Sequence, residues 1–164
     1  MLTLTEGVLL VPPADDFSRL NLYTVLHSLP DGVTLANLEG RILFSNEAAD
    51  RILGVEAATE ATPDDWAEHY GIFLPDGETP FPTADYPLVR ALSGERTRDV
   101  EMFVRNASIA DGALLSVSGQ GLRDADNNLI GAAVVFRDVT ELRRNSARAR
   151  GDGLRTREDP TPEG

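Results

Sequence analysis

The chain has 164 residues, enough for one domain with a sizeable core plus tails. Its net charge of −12 excludes nonspecific binding to nucleic acid or to an anionic membrane, because both need a positive surface. With no cysteine, disulfides, thiolate metal sites and cysteine nucleophiles are excluded too, which fits a cytoplasmic protein.

All fifteen basic residues are arginine, which reads as the coding bias of a GC-rich bacterial or archaeal genome. Met1–Pro13 contains the apolar run Val8–Val11 but also Glu6 and no basic start, so it is neither a signal peptide nor a membrane span. Residues 1–16 are expected to form an N-terminal arm. Asp16 is positioned to cap a helix over residues 17–29 that Pro30 stops. Within it Leu22, Val25, Leu26 and Leu29 fall at i, i+3, i+4 and i+7 and make one apolar stripe. That stripe is expected to lie on a sheet's outer face and to contact a second subunit.

Gly32–Asn37 and Arg41–Ser45 read as a strand pair turning at Leu38–Gly40. Asn46 is suited to cap a helix over Glu47–Leu53, and Gly54 to end it. A short helix is expected around Asp64–Tyr70, then a turn at Pro75-Asp-Gly77, then a helix Tyr86–Ser93 capped by Asp85 with Pro87 in its first turn. Thr97–Arg105, Ala113–Arg123 and Ile130–Arg137 are strand candidates. Asp124–Asn128 joins the last two, with Asn127 suited to a left-handed conformation. Gly119 and Gly121 inside a strand suggest a bulge or a close backbone approach. The last strand is apolar on both faces, so both are expected to be covered.

At its end an apolar strand runs into Asp138-Val-Thr140-Glu141 and an arginine-rich helix. Asp138 is placed to accept from the free N–H groups of the first turn, and Glu141 to reach back as in a capping box. Arg143, Arg144, Arg148 and Arg150 cluster on this helix, which reads as a solvated face or a dock for an acidic partner. Only Ala147 and Ala149 are apolar between Leu142 and Gly151, too few for a coiled coil, and the polar run from Gly151 is expected to be disordered.

The runs Leu29-Pro-Asp-Gly-Val33, Leu38-Glu-Gly-Arg-Ile42 and Ser45-Asn-Glu-Ala48 with Leu53-Gly54 resemble the start of a PAS domain. Leu74-Pro-Asp-Gly77, Asp85-Tyr-Pro-Leu88, Arg90-Ala-Leu92 and Gly94-Glu95 are similar to its middle region, and Gly131–Phe136 with Asp138-Val-Thr140 to its exit motif. The resemblance covers about residues 20–144. It implies an α+β fold with a five-stranded antiparallel sheet, short helices on one face enclosing a cavity, an N-terminal amphipathic helix and a short exit helix. The sensor domain would span 17–142, with the exit helix and a disordered polar tail at 143–164.

The family also implies a non-enzymatic role in signalling: binding a small ligand, pairing chains as a homodimer, or relaying a signal to a partner protein. Cavity candidates are Trp66, His69, Tyr70 and Phe73 from the segment before the middle region, Leu88 and Leu92 from the helix, and Val104, Leu115, Val117, Val134 and Phe136 from the strands. Asp138, Thr140 and Glu141 form the candidate output junction, and Leu22, Val25, Leu26 and Leu29 the candidate dimer face.

Members that bond a chromophore through cysteine are excluded here. Heme-binding members commonly use a histidine on the helix before the third strand, where this chain has none; His69, beside Trp66 and Tyr70, and His27 are the two histidines present. A heme- or noncovalent-flavin-bearing gas or redox sensor is the alternative, and a pure interaction module with a filled interior is a third. No Ser-His-Asp order, phosphate loop or metal-spaced set appears, so no enzyme, no metal site, no nucleic acid and no membrane are expected.

Overall fold

The computed structural model describes residues 22–58 and 60–155, the last four through the backbone alone. Elements follow in the order α1 (Leu22–Ser28), β1 (Gly32–Asn37), β2 (Ile42–Ser45), α2 (Glu47–Leu53), a π-helical turn (Ala67–Gly71), β3 (Ile72–Phe73), a 3₁₀ turn (Thr83–Asp85), α3 (Pro87–Leu92), β4 (Thr97–Asn106), β5 (Ile109–Arg123), β6 (Leu129–Asp138) and α4 (Thr140–Arg155). The strands form one antiparallel sheet in the order β2-β1-β6-β5-β4-β3. The expected α+β class holds, with six strands rather than five. The added strand is two residues long, too short to show periodicity, and exists because Ile72 and Phe73 pair with Val104 and Phe103.

Local chemistry sets the boundaries as read from the sequence at several points. The Asn46 side chain accepts from the Ala49 N–H at the start of α2, and Gly54 ends that helix at φ 71°, in the left-handed region. Asn127 takes φ 68° in the β5–β6 hairpin. At α3 the expectation fails: Asp85 belongs to the 3₁₀ turn, and Tyr86 stands at the cap position without a side-chain cap bond. Pro87 at the first helical position needs no N–H partner, so the helix starts without one.

The sheet's inner face carries Ala36, Met102, Val104, Leu115, Val117, Ala132, Val134 and Phe136, all buried in one cluster with residues of the covering turns and helices. Register keeps them on one side: Val134 lies opposite both Thr34 and Gly119, and Phe136 opposite Val117. The outer face is open among the described residues. Val135 is 40% exposed, correcting the expectation that β6 is covered on both sides.

Helix α1 reaches β2 through Tyr23 and His27, whose rings stand edge-on to Phe44. In the single chain the stripe does not lie on the sheet as expected: Leu22, Val25 and Leu29 are exposed and Leu26 is half-buried. Residues 17–21 of the expected helix, with its Asp16 cap, lie outside the described residues, as does the 1–16 arm. Helix α4 runs through Gly151 to Arg155, past the predicted end.

The Pro75–Thr79 turn is held by Asp76, whose carboxylate accepts from Glu78 N–H (2.9 Å), Thr79 N–H (2.8 Å) and Thr79 Oγ1 (2.6 Å). These bonds favour the charged form and hold the Asp76 carboxyl below the ordinary aspartate range. A depressed folded-state pKa gives a contribution fully present above the unfolded value and lost as pH falls through the folded one. We expect the Glu78 and Thr79 amides to keep their protection from exchange down to about pH 4 and to lose it in more acidic solution. Asp76→Asn should remove that pH dependence, read by NMR titration.

Candidate functional site

Under the helical layer the sheet leaves a cavity of about 90 Å³. Every strand supplies wall: Thr34 from β1, Ile42 from β2, Ile72 from β3, Met102 and Val104 from β4, Leu115 and Val117 from β5, and Val134 and Phe136 from β6. The lid side is Leu53 of α2, Trp66 and Tyr70 at the π-helical turn, and Tyr86, Pro87 and Leu88 at the start of α3. The lining contains no charged side chain.

Asn106 positions two of these groups. Its Nδ2 donates to the carbonyl oxygens of Leu53 (2.8 Å) and Tyr70 (3.1 Å), tying the end of α2 and the π-helical turn to the rim of β4. The Tyr70 hydroxyl oxygen accepts from Ala58 N–H (2.8 Å), and burial pushes its pKa up. Trp66 and Tyr86 stack with ring centroids 6.2 Å apart at 26°, and Phe81 lies 5.7 Å from Tyr86. Both are buried, Trp66 at 4% and Tyr86 at 2% exposure. Among the described residues neither the Trp66 Nε1–H nor the Tyr86 hydroxyl has a hydrogen-bond partner. Burial also raises the Tyr86 pKa; the Thr83 hydroxyl beside it lowers it in part without completing a well-formed bond.

An unpaired buried hydroxyl costs about 1–3 kcal/mol, whereas a satisfied one contributes net stability. Tyr86→Phe is therefore expected to stabilise the ligand-free domain by about 1 kcal/mol, and Tyr70→Phe, which orphans Ala58 N–H, to destabilise it by a similar amount. Denaturant midpoints at unchanged m-value measure both. A loss of stability in Tyr86→Phe would show that its hydroxyl is already paired.

Of the residues expected at the cavity, Trp66, Tyr70, Leu88, Val104, Leu115, Val117, Val134 and Phe136 stand on its wall. His69, Phe73 and Leu92 do not. His69 is exposed, with Nε2 3.0 Å from the Glu56 carbonyl oxygen. A π-helical turn closes over five residues, so Trp66 and Tyr70 align while His69 swings out. Phe73 follows the inward Ile72 in β3 and so points outward, where the Arg105 guanidinium lies 5.3 Å from its ring centroid. Leu92, at the end of α3, packs towards Gly40 and Pro63. Thr34, Ile42, Leu53, Ile72, Tyr86, Pro87 and Met102 escaped the sequence reading; for Ile72 and Met102 the strand alternation around Val104 held the signal.

These positions bear on the heme and flavin alternative. No histidine reaches the cavity: His69 faces solvent and His27 packs on α1 and β2. A cavity of about 150 Å³ holds benzene, and this one is smaller. The residues present do not fit a porphyrin or an isoalloxazine.

At the exit of β6, Asp138 Oδ1 accepts from the Thr140 N–H (2.8 Å) and hydroxyl. The Thr140 Oγ1 accepts in turn from Leu114 N–H (2.8 Å) in β5, and Val139 N–H donates to the Leu114 carbonyl (2.8 Å). Glu141 does not reach back as a capping box would; it pairs with Arg144 at 2.9 Å. Arg143 pairs with Glu101 of β4, a second link between α4 and the sheet. Among the described residues no helix is long and apolar enough to cross a membrane.

The family model described as PAS fold matches residues 26–144. The chain belongs to the PAS fold family. PAS domains are sensory modules in signalling and are generally non-enzymatic. The chain is similar to the PAS domain of a protein from Colwellia psychrerythraea, with TM-score 0.50 and 14% identity over 73% of this chain and 94% of that one. It is also similar to a light–oxygen–voltage domain studied with a flavin analogue (TM-score 0.50, 16% identity, 76% and 88% covered). A third is VqmA of Vibrio cholerae, a dimer described among LuxR-type receptors (TM-score 0.50, 15% identity, 73% and 51% covered). At these identities the likeness is one of fold. No curated protein matches the chain.

Proposed function

We propose that this PAS domain senses a small uncharged ligand in the central cavity and transmits its presence through the β6–α4 junction of a cytoplasmic homodimer. The uncharged cavity, walled by all six strands and by the turns above them, carries this reading. The ligand would touch Val134 and Phe136 of β6, the strand that runs into Asp138 and Thr140. Both Leu114 bonds and the Arg143–Glu101 pair would feel a shift of that strand. The exposed Leu22, Val25 and Leu29 on α1, with Leu43 and Val135 on the sheet, are apolar area suited to a second copy. No observation favours the heme- or flavin-bearing alternative.

The test is a small-molecule screen by two-dimensional NMR. A true ligand moves the cavity methyls of Val104, Val117 and Val134 and, with the same affinity, the amides of Leu114 and Thr140. Cavity shifts that never reach those amides would sink the transmission step. Light scattering showing a strict monomer at tens of micromolar would sink the dimer.

A further inference from the structure

One polar side chain on the cavity wall stands open with nothing bonded to it. Thr34 of β1 lines the cavity and is only 5% exposed. Among the described residues its hydroxyl has no hydrogen-bond partner. The other polar groups of the wall are in a different position. The Trp66 Nε1–H and the Tyr86 hydroxyl are unpaired but sealed in the packing, and the Tyr70 oxygen already accepts from Ala58 N–H. The Thr34 hydroxyl is not sealed, and the open space beside this buried residue is the cavity. Register sets Thr34 opposite Val134 of β6, so its hydroxyl stands beside the strand that leads to the exit junction.

From this we infer that the cavity takes a neutral, mainly apolar ligand of no more than about five non-hydrogen atoms, whose single carbonyl or hydroxyl oxygen bonds the Thr34 hydroxyl. The size follows from the volume of about 90 Å³, below the roughly 150 Å³ that holds benzene. Neutrality follows from a wall without a cation to offset the desolvation of an anion, on a chain of net charge −12. A threonine hydroxyl both donates and accepts, so it serves a ketone, an aldehyde or an alcohol equally. A buried hydroxyl left unbonded costs free energy, and the ligand oxygen removes that cost while its hydrocarbon body fills the apolar remainder. Carboxylates and ammonium ions find no counter-charge here, and pure hydrocarbons leave Thr34 unpaired. The inference rests on the cavity being a ligand site at all, and the test separates the two claims.

The probes are cyclobutanone and methylenecyclobutane, equal in non-hydrogen atoms and differing by oxygen against a methylene. Each is titrated by NMR into the full chain, with the Val117 and Val134 methyls reporting occupancy. Thr34→Val trades the hydroxyl for a methyl of similar shape. In that variant the dissociation constant of cyclobutanone should rise about three- to tenfold, while that of methylenecyclobutane stays within about twofold or falls. Thr34→Ser, which keeps the hydroxyl, should leave the ratio of the two constants within about twofold of the unsubstituted chain. A second measurement needs no variant: the carbonyl carbon of bound, isotopically labelled cyclobutanone should resonate downfield of its position in cyclohexane. Suppose both probes move the methyls, yet Thr34→Val leaves the ratio unchanged and the bound carbonyl resonates as in cyclohexane. Thr34 is then not the anchor, although the cavity still binds. If neither probe moves the methyls, the cavity reading falls and this inference with it.

Discussion

Asn46→Ala is expected to cost about 3–5 kcal/mol of unfolding free energy, one of the two largest effects predicted for a single substitution in this domain. Asn46 is fully buried and makes four hydrogen bonds. Its Oδ1 accepts from Val33 N–H (3.0 Å) and Ala49 N–H (2.9 Å), and its Nδ2 donates to the carbonyl oxygens of Leu26 (2.8 Å) and Asp31 (3.0 Å). One side chain thus caps α2, pins the start of β1 and tethers α1. Alanine removes a cap, worth about 0.5–2 kcal/mol, and strips partners from backbone groups that water reaches poorly. Asn46→Asp separates the two halves of the network. It keeps the acceptor for Val33 and Ala49 but sets a buried carboxylate against two carbonyl oxygens, so it should be destabilised at neutral pH and recover as pH is lowered. Urea denaturation across pH 4–8 measures both variants. A loss under about 1 kcal/mol in Asn46→Ala would mean that water replaces the network.

Gly71→Ala is expected to cost about 3–5 kcal/mol, enough to leave a marginal domain largely unfolded. Gly71 has φ 68°, and a Cβ there would lie 1.8 Å from the Arg105 carbonyl oxygen. The obstacle is backbone, in the strand that pairs with β3 one residue later, so relief requires moving β4 or breaking the Ile72–Val104 pairing. Gly94→Ala is the control. Its φ of 84° carries a similar left-handed penalty, but the nearest atom is the tip of the Arg123 side chain at 3.4 Å, which can move. About 1–2 kcal/mol is expected there. Equal losses in the two variants would show that the backbone contact contributes nothing.

Neither residue was equally legible in the sequence. Asn46 stood out as a cap because capping is local: an amide oxygen, three residues and a helix start. Its bonds to Leu26 and Asp31 were invisible, since they join segments twenty and fifteen residues away. Gly71 carried no signal at all, because what forbids a side chain is a carbonyl thirty-four residues along. The same division runs through the cavity. Alternation named Val104, Leu115, Val117, Val134 and Phe136 as one set, and the sheet keeps them together. Helical spacing beside Trp66 and Tyr70 points His69 inward, and the π-helical turn carries it to the surface instead.

What the sequence determined by itself was the set of local decisions and their order: caps, stops, left-handed turns, strand alternation, and the motifs that mark the PAS fold. Each depends on a few neighbouring residues, so each survives being read along the chain. The tertiary structure alone decided that a two-residue segment becomes a sixth strand, that the α1 stripe stays off the sheet in the single chain, and that Trp66 and Tyr86 stack in the core. Those outcomes are set by which distant groups pack and pair once the sheet closes, and such pairings leave no periodic trace in the chain.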